Sequence, residues 1–161
     1  MKTMKSAIYA GSFDPFTLGH EDVLLQSVGL FDHVTILVCH NPLKSSFISP
    51  ANRERIIRLY LHEKGLQSVD VAILPEQMST VDFAKSAGIG FLIRGIRTVT
   101  DFEYEMQIAA MNRILGDPVT VYFTPSTANQ FTSSSMAREF YRLRKDLSAL
   151  VPGAILRELK K

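Results

Sequence analysis

One stretch near the start of the chain indicates its fold: residues 7–20 read AIYAGSFDPFTLGH. The first four of these residues are apolar, as in a buried strand, and the segment rich in glycine and hydroxyls leads into a helical pattern. Glycines let a ligand approach the backbone closely, and free N–H groups at a helix start attract anions. We therefore interpret residues 11–20 as a phosphate-binding loop between a first strand and a first helix.

This loop differs from two common phosphate motifs. No lysine follows Gly19, as the GxxxxGK[ST] loop requires, and the glycine spacing does not match the GxGxxG dinucleotide fingerprint. The simpler alternative is a Gly/Pro turn in which His20 is an ordinary residue at the start of a helix. In the full pattern Gly-x-Phe-Asp-Pro-x-Thr-x-Gly-His, between a strand and a helix, a functional role for His20 is favoured.

Beyond this loop, short β-rich runs alternate with longer helical patterns along the chain. Strand candidates cover residues 6–9, 34–39, 69–74, 91–93 and 119–123, and helix candidates cover residues 20–30, 50–64, 81–86, 101–115, 134–144 and 155–159. Such alternation is typical of βαβ units around a parallel sheet. We predict an α/β fold: a single domain over residues 1–161 with a doubly wound, five-stranded parallel sheet.

Local signals at helix ends refine these predictions. Ser49 can cap the second helix with Pro50 in its first turn, and Gly65 can supply the left-handed residue that ends it. Thr100 and Glu103 have the spacing of a capping box, which predicts that they open the fourth helix.

Composition excludes several classes of protein. Hydrophobic residues make up 46% of the chain and charged residues 21%, which is ordinary globular usage, and the net charge of +2 predicts no nucleic-acid partner. The single Cys39 cannot form an internal disulfide, and no apolar run approaches the roughly 20 residues that cross a bilayer. The start of the chain has no signal-peptide core. We therefore expect a cytoplasmic protein with no membrane partner.

Two further groups of residues could bind phosphate. Arg94 and Arg97 follow the fourth strand candidate, and at this spacing both guanidinium groups can reach one crevice and bind phosphate oxygens bidentately. Three serines at residues 133–135 precede the fifth helix, where their hydroxyls and the helix N–H groups can face a phosphate. A helix cap with two spare serines is the alternative.

Together these blocks resemble a known enzyme family. Residues 9–20 resemble the first motif of the nucleotidyltransferases that share a (T/H)xGH signature, and the phosphopantetheine adenylyltransferases are the most similar group. Thr17 favours that group, because the related mononucleotide adenylyltransferases and small cytidylyltransferases usually have histidine there. The resemblance continues through RGIR at residues 94–97, DFEYEMQ at 101–107, MNR at 111–113 and TSSS at 132–135.

The resemblance implies a Rossmann-like nucleotidyltransferase fold and transfer of AMP from ATP to 4′-phosphopantetheine, giving dephospho-coenzyme A and pyrophosphate. It implies that His20 stabilises the transition state. The ATP-binding residues that it implies are Ser12, Phe13, His20, Gly95, Ile96, Arg97, Glu105, Asn129, Gln130, Phe131, Thr132, Ser133, Ser134 and Ser135. The substrate-binding residues that it implies are Ser12, Lys44, Thr80, Arg94 and Asn112.

The expected cofactor is Mg²⁺ bound with ATP. The Cys39–His40 pair and the scattered His33 and His62 lack the spacing of metal ligands, so we expect no protein metal site. The resemblance also implies a homohexamer, with coenzyme A as a candidate inhibitor.

The chain departs from the family pattern at both ends of the implied pocket. Thr80 stands where leucine or methionine commonly lines the pantetheine arm, and residues 128–129 lack the aromatic residue often found near the adenine. Two alternatives stay open. One is an adenylyl- or cytidylyltransferase for another phosphate, such as nicotinamide mononucleotide or glycerol phosphate. The other is a nucleotide-sensing or nucleic-acid-binding domain that has lost catalysis.

Overall fold

The computed structural model describes residues 4–40, 45–116 and 118–161. In chain order the elements are β1 (Ser6–Gly11), α1 (Leu18–Val28), β2 (His33–Val38), α2 (Pro50–Lys64), β3 (Val69–Ile73), α3 (Thr80–Ser86), β4 (Phe91–Gly95), α4 (Val99–Gly116), β5 (Val119–Phe123), α5 (Ser134–Arg142) and α6 (Gly153–Leu159). Strands and helices therefore alternate as the sequence predicts, up to the two consecutive helices at the end.

The five strands form one parallel sheet in the order β3-β2-β1-β4-β5. The chain builds outward from β1 to β3, then crosses back and continues from β4 on the other side of β1. In parallel sheets such a reversal leaves a crevice at the carboxyl ends of the two central strands, where ligands bind. The loops that follow β1 and β4 open onto this crevice, and the predicted α/β class is confirmed.

Apolar side chains cover both faces of the sheet, as the alternating side chains of β1 show. Tyr9 lies in the larger apolar cluster with Leu24 of α1 and Ile57 of α2, whereas Ile8 lies in a smaller cluster with Ala84 of α3. Neighbouring residues of a strand point to opposite faces, so a strand buried on both sides is apolar throughout. The doubly wound arrangement is therefore confirmed.

Helix α2 has both of its predicted ends. The Ser49 hydroxyl accepts a hydrogen bond from the N–H of Asn52 at 3.3 Å, and Gly65 has a φ of 68° in the left-handed region. The predicted capping box of Thr100 and Glu103 is wrong. Helix α4 begins at Val99, and its first turn is closed by the Thr98 hydroxyl, which accepts from the N–H of Asp101 at 3.1 Å.

Other boundaries shift by a few residues. Helix α1 begins two residues before the predicted position, because Thr17 is its cap. Strand β4 continues to Gly95, so Arg94 lies at the end of the strand and not in the loop after it. Helix α5 ends at Arg142, two residues before its predicted end, and α6 starts at Gly153, two residues before its predicted start.

Helix α4 contributes little to the hydrophobic core. Glu105 is its one buried residue among those described, and several apolar side chains are exposed. These exposed side chains are Val99, Phe102, Tyr104, Met106, Met111, Ile114 and Leu115. Within residues 4–40, 45–116 and 118–161, no helix combines the length and the apolar character needed to cross a membrane.

Candidate active site

A cleft of about 310 Å³ opens at the carboxyl ends of β1 and β4, within the usual size of a ligand pocket. Predicted site residues that line it are Ser12, Phe13, His20, Arg94, Gly95, Arg97, Glu105, Thr132, Ser133, Ser134 and Ser135. They come from three separate parts of the chain. The fold therefore gathers the three candidate phosphate-binding segments around one cavity.

His20 is fixed by the cap of its own helix. The Thr17 hydroxyl accepts from the His20 N–H at 3.4 Å, and the Thr17 N–H donates to His20 Nδ1 at 3.0 Å. This is a capping box with histidine in the place of the usual glutamate. Because Nδ1 accepts a hydrogen bond, the neutral ring carries its proton on Nε2, which is then free to donate.

Aromatic rings surround the His20 imidazole. The ring centroids of Phe13, Phe16 and Tyr9 lie 5.0, 5.5 and 6.4 Å from that of His20. Burial and, to a smaller extent, the positive charge of Arg97 together lower the pKa of His20 to about 3. The imidazole is therefore neutral at physiological pH, a hydrogen-bond donor and not a cation.

Arg94 is locked to Glu105 at the floor of the cleft. Its Nε and Nη2 atoms donate to the two carboxylate oxygens of Glu105, each at 2.6 Å, and Nη1 donates to the Ala10 carbonyl at 2.9 Å. Glu105 is buried. Both of its oxygens are thus engaged by Arg94, so the structure places Glu105 as the partner of the arginine, and its ATP contact stays a prediction.

Arg97 lies in the same cleft, as the spacing of the two arginines predicts. Its Nε donates to Asp101 at 3.1 Å, and its Nη1 donates to the carbonyl of Thr132 at 3.4 Å. The Asp101 carboxylate also accepts from the Arg97 N–H at 3.2 Å. Arg97 therefore links the end of β4 to the segment that precedes α5.

The three serines each have a different partner. Ser133 caps α5 by accepting from the N–H of Met136 at 3.1 Å, and the Ser134 hydroxyl donates to the Pro15 carbonyl at 2.9 Å. Ser135 accepts from Arg138 at 3.0 Å. The helix-cap alternative thus describes Ser133, yet all three residues also line the cleft.

Arg138 is a cleft residue that the sequence analysis missed. It lies one turn after the serines on α5, and its Nη1 donates to the Asp14 carbonyl at 2.7 Å. No carboxylate among the described residues forms an ion pair with it. A basic residue three positions after the serine run was the available signal, because residues three apart share a helix face.

A second missed group joins the loop after β1 to the segment before α2. The Asp14 carboxylate accepts from the N–H groups of Phe47 and Ile48 at 2.9 and 2.8 Å. Arg53 donates to the carbonyls of Ser12 and Ile48 at 2.6 and 2.8 Å. Asp14 and Arg53 are both buried, although charged residues are rarely so unless they are paired.

Other predicted residues lie away from the cleft lining. Asn129 and Gln130 direct their side chains to Asp22 and to the Arg97 carbonyl, at 2.9 and 3.0 Å. Phe131 is exposed. Ile96 follows β4, Thr80 is the first residue of α3, and Asn112 lies within α4. Lys44 falls among residues 41–44, outside the described part of the chain.

Metal ligands are the remaining question about the site. In the described segments, no group of three or more His, Cys, Asp or Glu side chains is placed to hold a metal ion. The residues described therefore do not form a metal cage.

Comparison with known proteins gives concordant findings. Residues 8–140 match the family model described as cytidylyltransferase-like. A phosphopantetheine adenylyltransferase of Campylobacter concisus is 42% identical over 157 residues, covering 97% of this chain and 98% of the relative. One from Lachnoclostridium phytofermentans is 41% identical over 154 residues, covering 95% and 92%.

Solved structures share the fold at lower identity. The nicotinic acid mononucleotide adenylyltransferase of Plasmodium falciparum superposes with a TM-score of 0.69 and 19% identity, covering 98% of this chain and 95% of that one. At this identity the likeness extends to the fold alone.

Proposed function

The chain belongs to the phosphopantetheine adenylyltransferases, and from that premise we propose that its cleft transfers the adenylyl group of ATP to 4′-phosphopantetheine. A phosphate oxygen of the acceptor attacks the α-phosphorus of ATP. The bond from that phosphorus to the bridging oxygen breaks, pyrophosphate leaves, and dephospho-coenzyme A forms. The observation that carries the proposal is the fixed, neutral His20 in a cleft shared by Arg94, Arg97 and three serines.

The chemistry requires positioning more than proton transfer. A phosphate monoester has a second pKa near about 6, so the attacking oxygen is already anionic at neutral pH and needs no general base. His20 suits a different task. Its Nε2–H can donate to the α-phosphate as negative charge develops there, and a preorganised donor of this kind lowers the barrier substantially.

We assign the two phosphate groups to opposite ends of the cleft. Arg94 and, by resemblance, Lys44 bind the phosphate of the acceptor. Arg97 and Ser134, with the neighbouring serines, bind ATP. Arg138 joins the nucleotide end in this proposal, because its guanidinium lies beside Ser135 and has no acidic partner among the described residues.

Mg²⁺ enters this proposal with ATP, as a counter-charge for the leaving pyrophosphate. Because the described residues form no metal cage, the nucleotide phosphates would supply the ligands. Chelation with excess EDTA should abolish turnover, and added Mg²⁺ should restore it. Full turnover in a metal-free assay would contradict this part of the proposal.

Self-association is proposed through α4. Its exposed apolar side chains, with Ile114 at 86% and Val99 at 76% exposed, can be buried against a second copy of the chain. The resemblance implies a hexamer. Light scattering after size exclusion should give about six times the chain mass of 18.0 kDa, and a monomer at assay concentrations would contradict it. Competition by coenzyme A and a cytoplasmic location stay predictions.

Pyrophosphate release tests the activity directly. The protein is supplied with ATP or CTP, and with 4′-phosphopantetheine present or absent, and the product is identified by mass. The proposal predicts release only with ATP and the acceptor together, and a product with the mass of dephospho-coenzyme A. Release from CTP, or no release from any pair, would contradict it.

A further inference from the structure

Helix α1 presents one face to the connection between β5 and α5, residues 124–133. Gly19 and Gln26 hold the two ends of that segment. The Gly19 N–H donates to Thr132 Oγ1 at 3.0 Å, and Gln26 Nε2 donates to the Thr124 carbonyl at 2.8 Å. A Cβ at Gly19 would lie 2.8 Å from Thr132 Oγ1, so the helix and the loop are as close as glycine permits.

Asp22 holds the middle of the same loop through a single carboxylate oxygen. Its Oδ2 accepts from the N–H of Ser126 at 3.0 Å, from the Ser126 hydroxyl at 2.6 Å and from Asn129 Nδ2 at 2.9 Å. Burial acts to raise the pKa of this carboxyl, but the hydrogen bonds from Ser126 and Asn129 outweigh it and the pKa lies below its ordinary value. The group is therefore an ionised acceptor at neutral pH.

Further hydrogen bonds connect the partners of Asp22 to residues that line the cleft. The carbonyl of Asn129 accepts from the N–H and the hydroxyl of Thr132 at 3.0 and 2.8 Å. Thr132 lines the cleft, and its own carbonyl accepts from Arg97. Asp22 itself does not line the cleft, and it lies two residues after His20 on the same helix.

We propose that Asp22 is a positioning residue that fixes residues 124–133 to the helix carrying His20. The residues at the nucleotide end of the cleft are thereby kept in a fixed position relative to His20, the proposed donor to the transition state. This inference rests on the proposed function for the identity of the nucleotide as ATP. Loss of the Asp22 carboxylate then weakens ATP binding, while the acceptor end, built on other loops, is left as it is.

The test compares ATP affinity by calorimetry and the two KM values for the wild type and its variants. We expect Asp22→Ala to raise the Kd and KM for ATP roughly tenfold, the effect of about one lost hydrogen bond to a charge, and to change the acceptor KM less than about twofold. Ser126→Ala removes one of the three donors to Asp22 at a residue that does not line the cleft, so it should weaken ATP binding in the same direction and by less.

Glu21 provides the matched control. It is the neighbouring carboxylate on α1, but it accepts from the Tyr60 hydroxyl at 2.9 Å and pairs with Lys64 at 3.0 Å, away from the loop. Glu21→Gln should leave ATP affinity at the wild-type value, even where it lowers the melting temperature.

Two results would overturn the inference: unchanged ATP affinity in Asp22→Ala, or equal weakening of ATP and acceptor. Calorimetry with ATP alone needs no turnover. A wild-type protein that binds ATP but makes no dephospho-coenzyme A would therefore refute the proposed function, while the Asp22 comparison would still be decided. A wild-type protein that does not bind ATP would overturn both.

Discussion

Two regions beside the cleft are held by different kinds of contact. Along residues 124–133, which we assign to the nucleotide end, half-buried and exposed polar groups form the hydrogen bonds to α1, and Asp22 accepts three of them. Between the loop after β1 and the segment before α2, two buried charges, Asp14 and Arg53, form the contacts. The loss of a buried charge costs more stability than the loss of an exposed polar contact. Substitutions at Asp14 or Arg53 should therefore cost folding as well as binding, whereas those at Asp22 should cost mainly binding.

The largest effect is expected at Arg53. Arg53→Met removes the donor to the Ser12 and Ile48 carbonyls and the cation whose Nε lies 4.0 Å from the buried Asp14 carboxylate, a change that typically costs about 3–5 kcal/mol. Arg55→Met is the control, since Arg55 pairs with Glu158 while half exposed and should cost at most about 1 kcal/mol. Urea unfolding measures both, and equal stability of the two variants would refute the difference between buried and exposed contacts.

His20 lines the cleft as the proposed transition-state donor, and its loss should reduce turnover far more than ATP binding. His20→Ala removes a preorganised donor, so kcat should fall roughly a hundred- to a thousandfold, or about 2.7–4 kcal/mol in barrier. Affinity for ATP should stay near the wild-type value in calorimetry, and the exposed His62, changed to alanine, serves as the control. A folded His20→Ala protein with near-normal turnover at saturation would show that the assigned role is wrong.

The partition between the ends can be tested on the phosphate ligands themselves. Lys44→Ala and Arg94→Ala should weaken acceptor binding, and Arg97→Ala and Ser134→Ala should weaken ATP binding. A lost hydrogen bond to a charged group costs about 1.5–3 kcal/mol, which is roughly ten- to a hundredfold in Kd. Titration calorimetry with each ligand separates the two, and the partition fails if every variant weakens both ligands alike.

The half-buried imidazole of His20 should also affect the pH dependence of stability. The folded-state pKa of His20 is lowered from 6.5 to about 3, so below pH 6.5 the unfolded chain binds a proton that the folded chain does not. Its contribution is complete above pH 6.5 and is lost toward pH 3, with a slope of at most about 1.4 kcal/mol per pH unit. Urea melts at about pH 7 and about pH 5 should show a larger loss for the wild type than for His20→Ala. Equal losses would contradict the neutral state of the imidazole.

The smallest effect is expected at Thr80. Thr80 opens α3 and is half-buried beside Cys39, whose thiol pKa is raised by burial, an effect that a hydrogen bond with Thr80 only partly offsets. If the pantetheine arm packs here, Thr80→Leu adds one or two methylene equivalents of contact, each worth about 0.8 kcal/mol when buried. The acceptor KM should fall a few fold with kcat unchanged, since uniform binding improves. A changed kcat, or an unchanged KM, would place the arm elsewhere.

Most of the fold could be predicted from local sequence patterns, and particular residues show where those patterns fail. Helix α2 was predictable at both ends because Ser49, Pro50 and Gly65 act within a few residues of the helix. The start of α4 was not, since Thr98 and Thr100 are equally good caps in sequence. The contacts of Asp101 with Arg97 and with Thr98 accompany the earlier start, and they join residues three and four apart, so Thr98 with Asp101 was a competing local pattern.

The site shows the same division between local and distant contacts. The three phosphate-binding segments were found because each has its own glycines, arginines or serines next to a strand or helix end. Asp22 was missed because its partners Ser126 and Asn129 lie 104 and 107 residues away. Arg53 reaches Ser12 across 41 residues. The capping box formed by Thr17 and His20 is a local contact, but the residue expected at its last position is glutamate or glutamine, not histidine.

One competition experiment tests the central claim, that this cleft is built for phosphopantetheine. Wild-type protein, ATP and Mg²⁺ are mixed with equal amounts of 4′-phosphopantetheine and nicotinamide mononucleotide, and the two adenylylated products are measured by mass at low conversion. The account predicts at least about tenfold more dephospho-coenzyme A than dinucleotide, a difference of about 1.4 kcal/mol in transition-state binding. A ratio near unity, or an excess of the dinucleotide, would contradict it.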